Sequence, residues 1–186
     1  MATFPKPLCE LRIFWTQHRP RPGDIRRTIQ VAERVERLRA GAEGLHFGPM
    51  ISGLRVRPGI LSRLVEEARR QPLTECCGLL AGSGGVITEI LPARNALASA
   101  TVYEIAPDEL FRLFRQIRER GLDYLGIYHS HPATDNSPSP ADIERAYYPD
   151  AAYFIVTPQP GAARPVRAFW IRGGNVIEWK IEEVEG

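Results

Sequence analysis

Tyr124-Leu125-Gly126-Ile127-Tyr128 runs directly into His129-Ser130-His131-Pro132, and this junction constrains the fold more than any other stretch of the chain. An apolar, aromatic run of this length fits a strand buried within a sheet. Side chains alternate along a strand, so His129 and His131 point the same way, whereas on a helix residues two apart share no face. Pro132 lacks an N–H and ends the ladder. The sequence therefore predicts a core strand whose C-terminal end carries two imidazoles side by side.

A carboxylate follows at short range. Ser137-Pro138-Ser139-Pro140-Ala141-Asp142-Ile143-Glu144 reads as a loop turning into a helix, with Ser139 as N-cap, Pro140 at the first helical position and Asp142 in the first turn. Ser139 and Asp142 are spaced as a capping box, with Asp in place of Glu or Gln. The residues alone allow that reading, and they allow another. Ten residues separate His131 from Asp142, enough to fold the carboxylate back over the imidazoles. Two His nitrogens and one carboxylate oxygen leave tetrahedral zinc one open position, the pattern of a catalytic site.

Such a site needs a general base, and Glu75 is the best-placed candidate. It heads the run Glu75-Cys76-Cys77-Gly78-Leu79-Leu80-Ala81-Gly82, where a charged side chain opens an apolar strand bounded by glycine. An exposed strand-end glutamate is the alternative.

Taken together, Glu75 in E-C-C-G-L-L-A-G, His129-x-His131, ten residues, and Asp142 preceded by Ser139 resemble the motif of the JAMM (MPN-plus) zinc metalloproteases, in particular their compact bacterial members. The resemblance covers roughly residues 54–183 and is more specific than any lone His-x-His pair. It implies an α-β-α layered α/β domain with a central mixed sheet, similar to that of cytidine deaminases. It also implies that His129, His131 and Asp142 hold one zinc ion, that Glu75 contacts the water on the metal, and that Ser139 stabilises the oxyanion. Family members split peptide or isopeptide bonds after the C-terminal glycine of ubiquitin or ubiquitin-like proteins, including small sulfur carriers. Two alternatives stay open: a non-catalytic MPN-type scaffold binding a ubiquitin-like partner, and a zinc amidase acting on a small molecule, since the zinc chemistry is indifferent to what flanks the amide. The absence of long insertions near the motif argues against polyubiquitin as substrate. An extended glycine-ending tail would lie along a strand edge near the zinc, with Asn95 to Ala100 as the loop of interest.

Composition excludes other classes. The chain has 186 residues, 44% hydrophobic and 25% charged, ordinary for one soluble domain. No run approaches the ~20 apolar residues of a membrane span. The N-terminus lacks the apolar core and cleavage site of a secretory signal, and three cysteines make no disulfide framework, so a cytoplasmic location is expected. Cys76 and Cys77 are expected as buried small side chains, because neighbours in a strand face opposite ways and no C-x-x-C pair is present. His18 and His46 are expected on solvated surface. Nothing sets an oligomeric state.

Residues 1–50 hold nine Lys or Arg and five acidic residues, and the remainder fifteen and seventeen. The organisation expected is a basic extension over 1–49 with a helix near Asp24–Ala40, then the metalloprotease domain over 50–186. Met50 is the one internal methionine, so the first 49 residues are either an appendage or an upstream extension of the reading frame. Without aromatic interleaving or a nucleic-acid motif, no nucleic-acid partner is expected. Within the domain, helices are predicted from Pro58 (Ile60, Leu61, Leu64, Val65, Ala68 inward) and from Pro107 (Leu110, Phe111, Phe114, Ile117). Strands are predicted near Leu54–Val56, Thr101–Ile105 and Ala152–Thr157, with hairpins Cys77–Ala81/Val86–Leu91 and Val166–Ile171/Val176–Ile181 turning at glycines.

Overall fold

A computed structural model of the chain describes residues 53–185. The basic extension, its helix, and His18 and His46 lie outside the described residues. Those described form strands β1 (Leu54–Val56), β2 (Cys77–Ser83), β3 (Val86–Ala93), β4 (Asp123–Ser130), β5 (Ala152–Val156), β6 (Val166–Arg172), β7 (Asn175–Trp179) and β8 (Ile181–Glu183). Three helices accompany them: α1 (Ile60–Arg70), α2 (Pro107–Glu119) and α3 (Pro140–Glu144).

The strands make one sheet in the order β7-β6-β5-β4-β2-β3-β1-β8. It is mixed, as predicted. β1 runs parallel to β3 and β8, and β4 parallel to β5, while the remaining pairs are antiparallel. β7 and β8 stand at opposite edges, yet Lys180 alone separates them in sequence. Because consecutive Cα atoms are ~3.8 Å apart, the two edges meet there and the sheet is rolled. The predicted strand over Val176–Ile181 is corrected accordingly: it breaks at Lys180, whose carbonyl accepts from Leu54 N at 2.8 Å, and Ile181–Glu183 pair with β1 instead.

Alternation along the strands divides the core in two. Leu80, Tyr128, Phe154 and Ala168 face α1, packing with its Ile60, Leu64, Val65 and Ala68. Leu79, Ile127, Ile155 and Phe169 face α2, packing with Leu113 and Ile117. Each fully buried Leu or Ile contributes roughly 1.5–3 kcal/mol, so α1, too short to persist alone, is held by its apolar stripe. That stripe is the predicted one, although the helix starts at Ile60 after Gly59 and not at Pro58; Gly59 has φ 85°, a left-handed conformation that glycine adopts without strain. In α2 the buried residue missing from the predicted stripe is Leu113. Leu110 and Phe114 pack at its margin.

Both glycine turns are as expected. Gly84-Gly85 and Gly173-Gly174 have positive φ at each residue, which matches the two-residue hairpin turn that twists with its strands. Thr101–Ile105 is not a strand. It makes one isolated bridge, Asn95 to Ile105, because the Asn95 side chain takes up the backbone groups of Val102 and Glu104 that a neighbouring strand would have used.

Candidate active site

The sheet assembles the site through register. Cys77 pairs with His129, His129 with Ile155, and Ile155 with Arg167, so these four residues form one row across β2, β4, β5 and β6 and share a face. Continuing the antiparallel count beyond Cys77 sets Glu75 opposite His131. Ser130, between the histidines, fastens this end of the sheet: its N–H donates to Cys76 O at 3.0 Å, and its hydroxyl accepts from Cys76 N at 2.9 Å. His131 lies one residue past β4, but its N–H still donates to Val156 O at 2.8 Å. Both imidazoles therefore rest on a rigid element, as the strand reading required.

Asp142 arrives from α3. The capping box is present in full: Asp142 N donates to Ser139 Oγ at 3.2 Å, and Ser139 N donates to Asp142 Oδ2 at 2.7 Å. The same carboxylate stands 3.2 Å from His129 Nε2 and 3.3 Å from His131 Nε2. The two readings of Ser139 and Asp142 are thus not alternatives. The cap aims the carboxylate at the imidazoles.

His129 Nε2 and His131 Nε2 are 3.1 Å apart. Asp135 O lies 2.7 Å from His131 Nδ1, and since a carbonyl only accepts, Nδ1 carries a proton, which leaves Nε2 as the ring nitrogen that faces the cluster. His129 is 1% exposed; its Nδ1 has no hydrogen-bond partner, and Tyr103 stacks on its ring with centroids 4.6 Å apart. One ligand atom from each of His129, His131 and Asp142 lies within 4.8 Å of the others. Ligand atoms ~2.0–2.2 Å from a tetrahedral ion are roughly 3.3–3.6 Å apart. Spacings of 3.1–3.3 Å fit one shared metal ion.

Electrostatics distinguish the three side chains. Burial lowers the His129 pKa, outweighing the Asp142 carboxylate beside it. Burial pulls His131 the same way, but hydrogen bonds to Asp142 and to the Asp135 carbonyl outweigh it and raise its pKa. For Asp142 burial is likewise overcome, and the two imidazoles hold its carboxyl well below the usual range. The cluster thus offers an anionic carboxylate and a neutral, buried His129.

Glu75 is 2% exposed, so the exposed strand-end alternative is ruled out. Burial pushes its pKa up to about 7, the His131 charge opposing and the Asp142 charge adding to the shift. Its Oε2 has no hydrogen-bond partner. A buried carboxylate left unpaired costs stability, which points to chemistry as its reason for being there.

Two features were not foreseen from sequence. Asn95, expected only as part of a loop near the substrate tail, is a buried hub. Its Nδ2 reaches the carbonyls of Glu75, Ser99 and Val102 at 3.0–3.4 Å, and its Oδ1 accepts from Leu97 N and Glu104 N. Glu75 N also donates to Ser99 O at 2.8 Å, so this loop holds the Glu75 backbone and brings Tyr103 onto His129. The second is Asp135, which acts through its carbonyl. Main-chain contacts of this kind leave no mark in residue type.

Cys76 and Cys77 are free and buried, on opposite faces as expected, and burial raises both thiol pKa values. Among the described residues no helix is long and apolar enough to cross a membrane.

Comparison with known proteins identifies the arrangement. A family model described as prokaryotic homologs of the JAB domain matches residues 58–172. A desampylase of Haloferax volcanii is 40% identical over 105 residues, 55% of this chain and 76% of the relative. A CysO-cysteine peptidase of Mycobacterium tuberculosis is 33% identical over 132 residues, 70% of this chain and 90% of the relative. A solution structure of a Desulfitobacterium hafniense protein superposes with a TM-score of 0.63 at 28% identity, covering 71% of this chain and 93% of that one. With the family model spanning more than half its length, the chain belongs to the prokaryotic JAB-domain family and is a hydrolase of the JAMM type.

Proposed function

We propose that the protein is a zinc-dependent peptidase or isopeptidase that cuts the bond after the C-terminal glycine of a ubiquitin-like or sulfur-carrier protein. The observation that carries this reading is the buried, unpaired Glu75 carboxylate beside three side chains spaced to share one ion. His129, His131 and Asp142 would hold the zinc, which supplies Lewis acidity and lowers the pKa of a water molecule to roughly 7.

Glu75 then accepts the proton of the attacking water and returns it to the leaving amine. Ser139 Oγ accepts from Asp142 N, which leaves its own proton free for the developing oxyanion; removing such a donor typically costs about 10²–10³ in rate. Substrate class rests on the family and on relatives whose names describe a desampylase and a peptidase of a CysO–cysteine substrate. All five polar residues of the motif are present, which favours an enzyme over a binding-only scaffold. Free Cys76 and Cys77 suit the reducing cytoplasm.

The test is direct incubation of zinc-loaded protein with candidate ubiquitin-like proteins carrying C-terminal extensions, with Glu75→Gln as control. Loss of the extension after the terminal glycine, absent in the control, is expected. Intact substrates throughout, together with hydrolysis of a small amide, would replace this reading with an amidase.

A further inference from the structure

A line of hydrogen bonds leads from the sheet to the back of His131. Arg167 lies on β6, in the same row and on the same face as His129, roughly 10 Å away by strand spacing. Glu178 grips it through Nε at 3.0 Å and a terminal nitrogen at 2.6 Å, and its guanidinium lies 4.9 Å from the centre of the Phe169 ring. The remaining terminal nitrogen donates to Ser137 Oγ at 2.7 Å. Ser137 in turn donates twice to the Asp135 carboxylate, from Oγ at 3.3 Å and from N at 3.0 Å. Asp135 then presents its carbonyl to His131 Nδ1.

We infer that Arg167 is a positioning residue for His131: through Ser137 and Asp135 it fixes the carbonyl that sets the tautomer of the imidazole. The inference rests on the metal-site reading above. Residues 131–139 link the end of β4 to α3, and a loop of that kind is mobile unless tied down. Arg167 supplies a tie at a point where its own fork is already satisfied, so little freedom remains to be lost when Ser137 binds. Asn136 adds a second tie, donating to Arg164 O at 2.9 Å and to Ile155 O at 3.4 Å. Cutting the Arg167 link therefore loosens the loop without releasing it. If the Asp135 carbonyl drifts, the proton is free to move to Nε2, and that nitrogen is lost as a metal donor.

The experiment compares wild type, Ser137→Ala, Arg167→Met and the double variant. Ser137→Ala leaves the Arg167–Glu178 pair in place and so separates loop positioning from the fold, should Arg167→Met fail to fold. Zinc affinity is read by competition with a chromophoric chelator, and the His131 tautomer by ¹⁵N ring shifts in zinc-free protein at pH 8. The expected result is about tenfold weaker zinc binding in each single variant, no further loss in the double, and a mixed tautomer where wild type has Nδ1–H. Wild-type affinity and ring shifts in Ser137→Ala would overturn the inference, as would additive losses in the double. Failure of the metal reading looks different: wild type would bind zinc no better than His131→Ala, and the inference would fall with it.

Discussion

Asp142 accepts the backbone N–H of Ser139 at 2.7 Å while its carboxylate faces His129 at 3.2 Å, so one side chain caps a helix and completes a group of three side chains able to share a metal ion. Ser139→Ala should therefore act twice. Loss of the cap is expected to cost about 1 kcal/mol of stability, and loss of the hydroxyl about 10²–10³ in kcat. Urea denaturation and steady-state kinetics read the two separately; a drop in stability with unchanged kcat would take Ser139 out of the oxyanion role.

Glu75→Gln should retain zinc and lose turnover, because the amide keeps the shape of the side chain but cannot accept the water's proton. Metal content by mass spectrometry and cleavage of a ubiquitin-like substrate check it. Full activity would remove Glu75 from the mechanism.

The same residue makes the zinc-free protein sensitive to pH. Its folded pKa of about 7 lies above the ordinary 4.5, so between these values the folded state holds a proton that the unfolded state has released. Stability then falls as pH rises from 4.5 to 7, and the whole penalty, on the order of 3 kcal/mol, is present above 7. Zinc-free Glu75→Gln should be the more stable protein at pH 8 and indistinguishable from wild type near pH 4. Equal urea midpoints at pH 8 would contradict this. In the zinc-loaded enzyme a nearby dication favours the carboxylate, so the acid limb of kcat/KM should lie below pH 7.

Asn95→Ala takes the side-chain donor from the carbonyls of Glu75 and Val102 and the acceptor from the N–H groups of Leu97 and Glu104. A loss of about 2–4 kcal/mol is expected. Because the same loop carries Tyr103 onto His129, kcat should fall as well while zinc stays bound. Chemical denaturation and metal analysis test both parts.

Chelation should abolish activity, and added zinc should restore it. His129→Ala and Asp142→Ala should regain nothing on zinc addition, since each removes one of the three donors. Recovery in either variant would place the metal elsewhere.

How much of this was legible beforehand follows from the range of each interaction. His129 and His131 two apart on an apolar strand, and Ser139 three before Asp142, are local patterns, and the α1 stripe is a helical one. They could be read because strand and helix periods place such residues without reference to the rest of the chain. Thr101–Ile105 had strand-like residues but no partner strand, since Asn95 claimed its backbone groups. The break at Lys180 depends on the sheet rolling until its edges meet, which no window of sequence contains.

By itself, then, the sequence determined which side chains are able to bind a metal, which way the histidines face, and how α3 starts. Tertiary structure alone decided that Glu75 is buried opposite His131, that the Asn95 side chain and the Asp135 carbonyl hold the surroundings of the site, and that Arg167 reaches the loop behind it. The physical reason is register. Sheet pairing brings Cys77, His129, Ile155 and Arg167 into one row from positions 90 residues apart at the extremes, and burial then lowers the His129 pKa and raises that of Glu75.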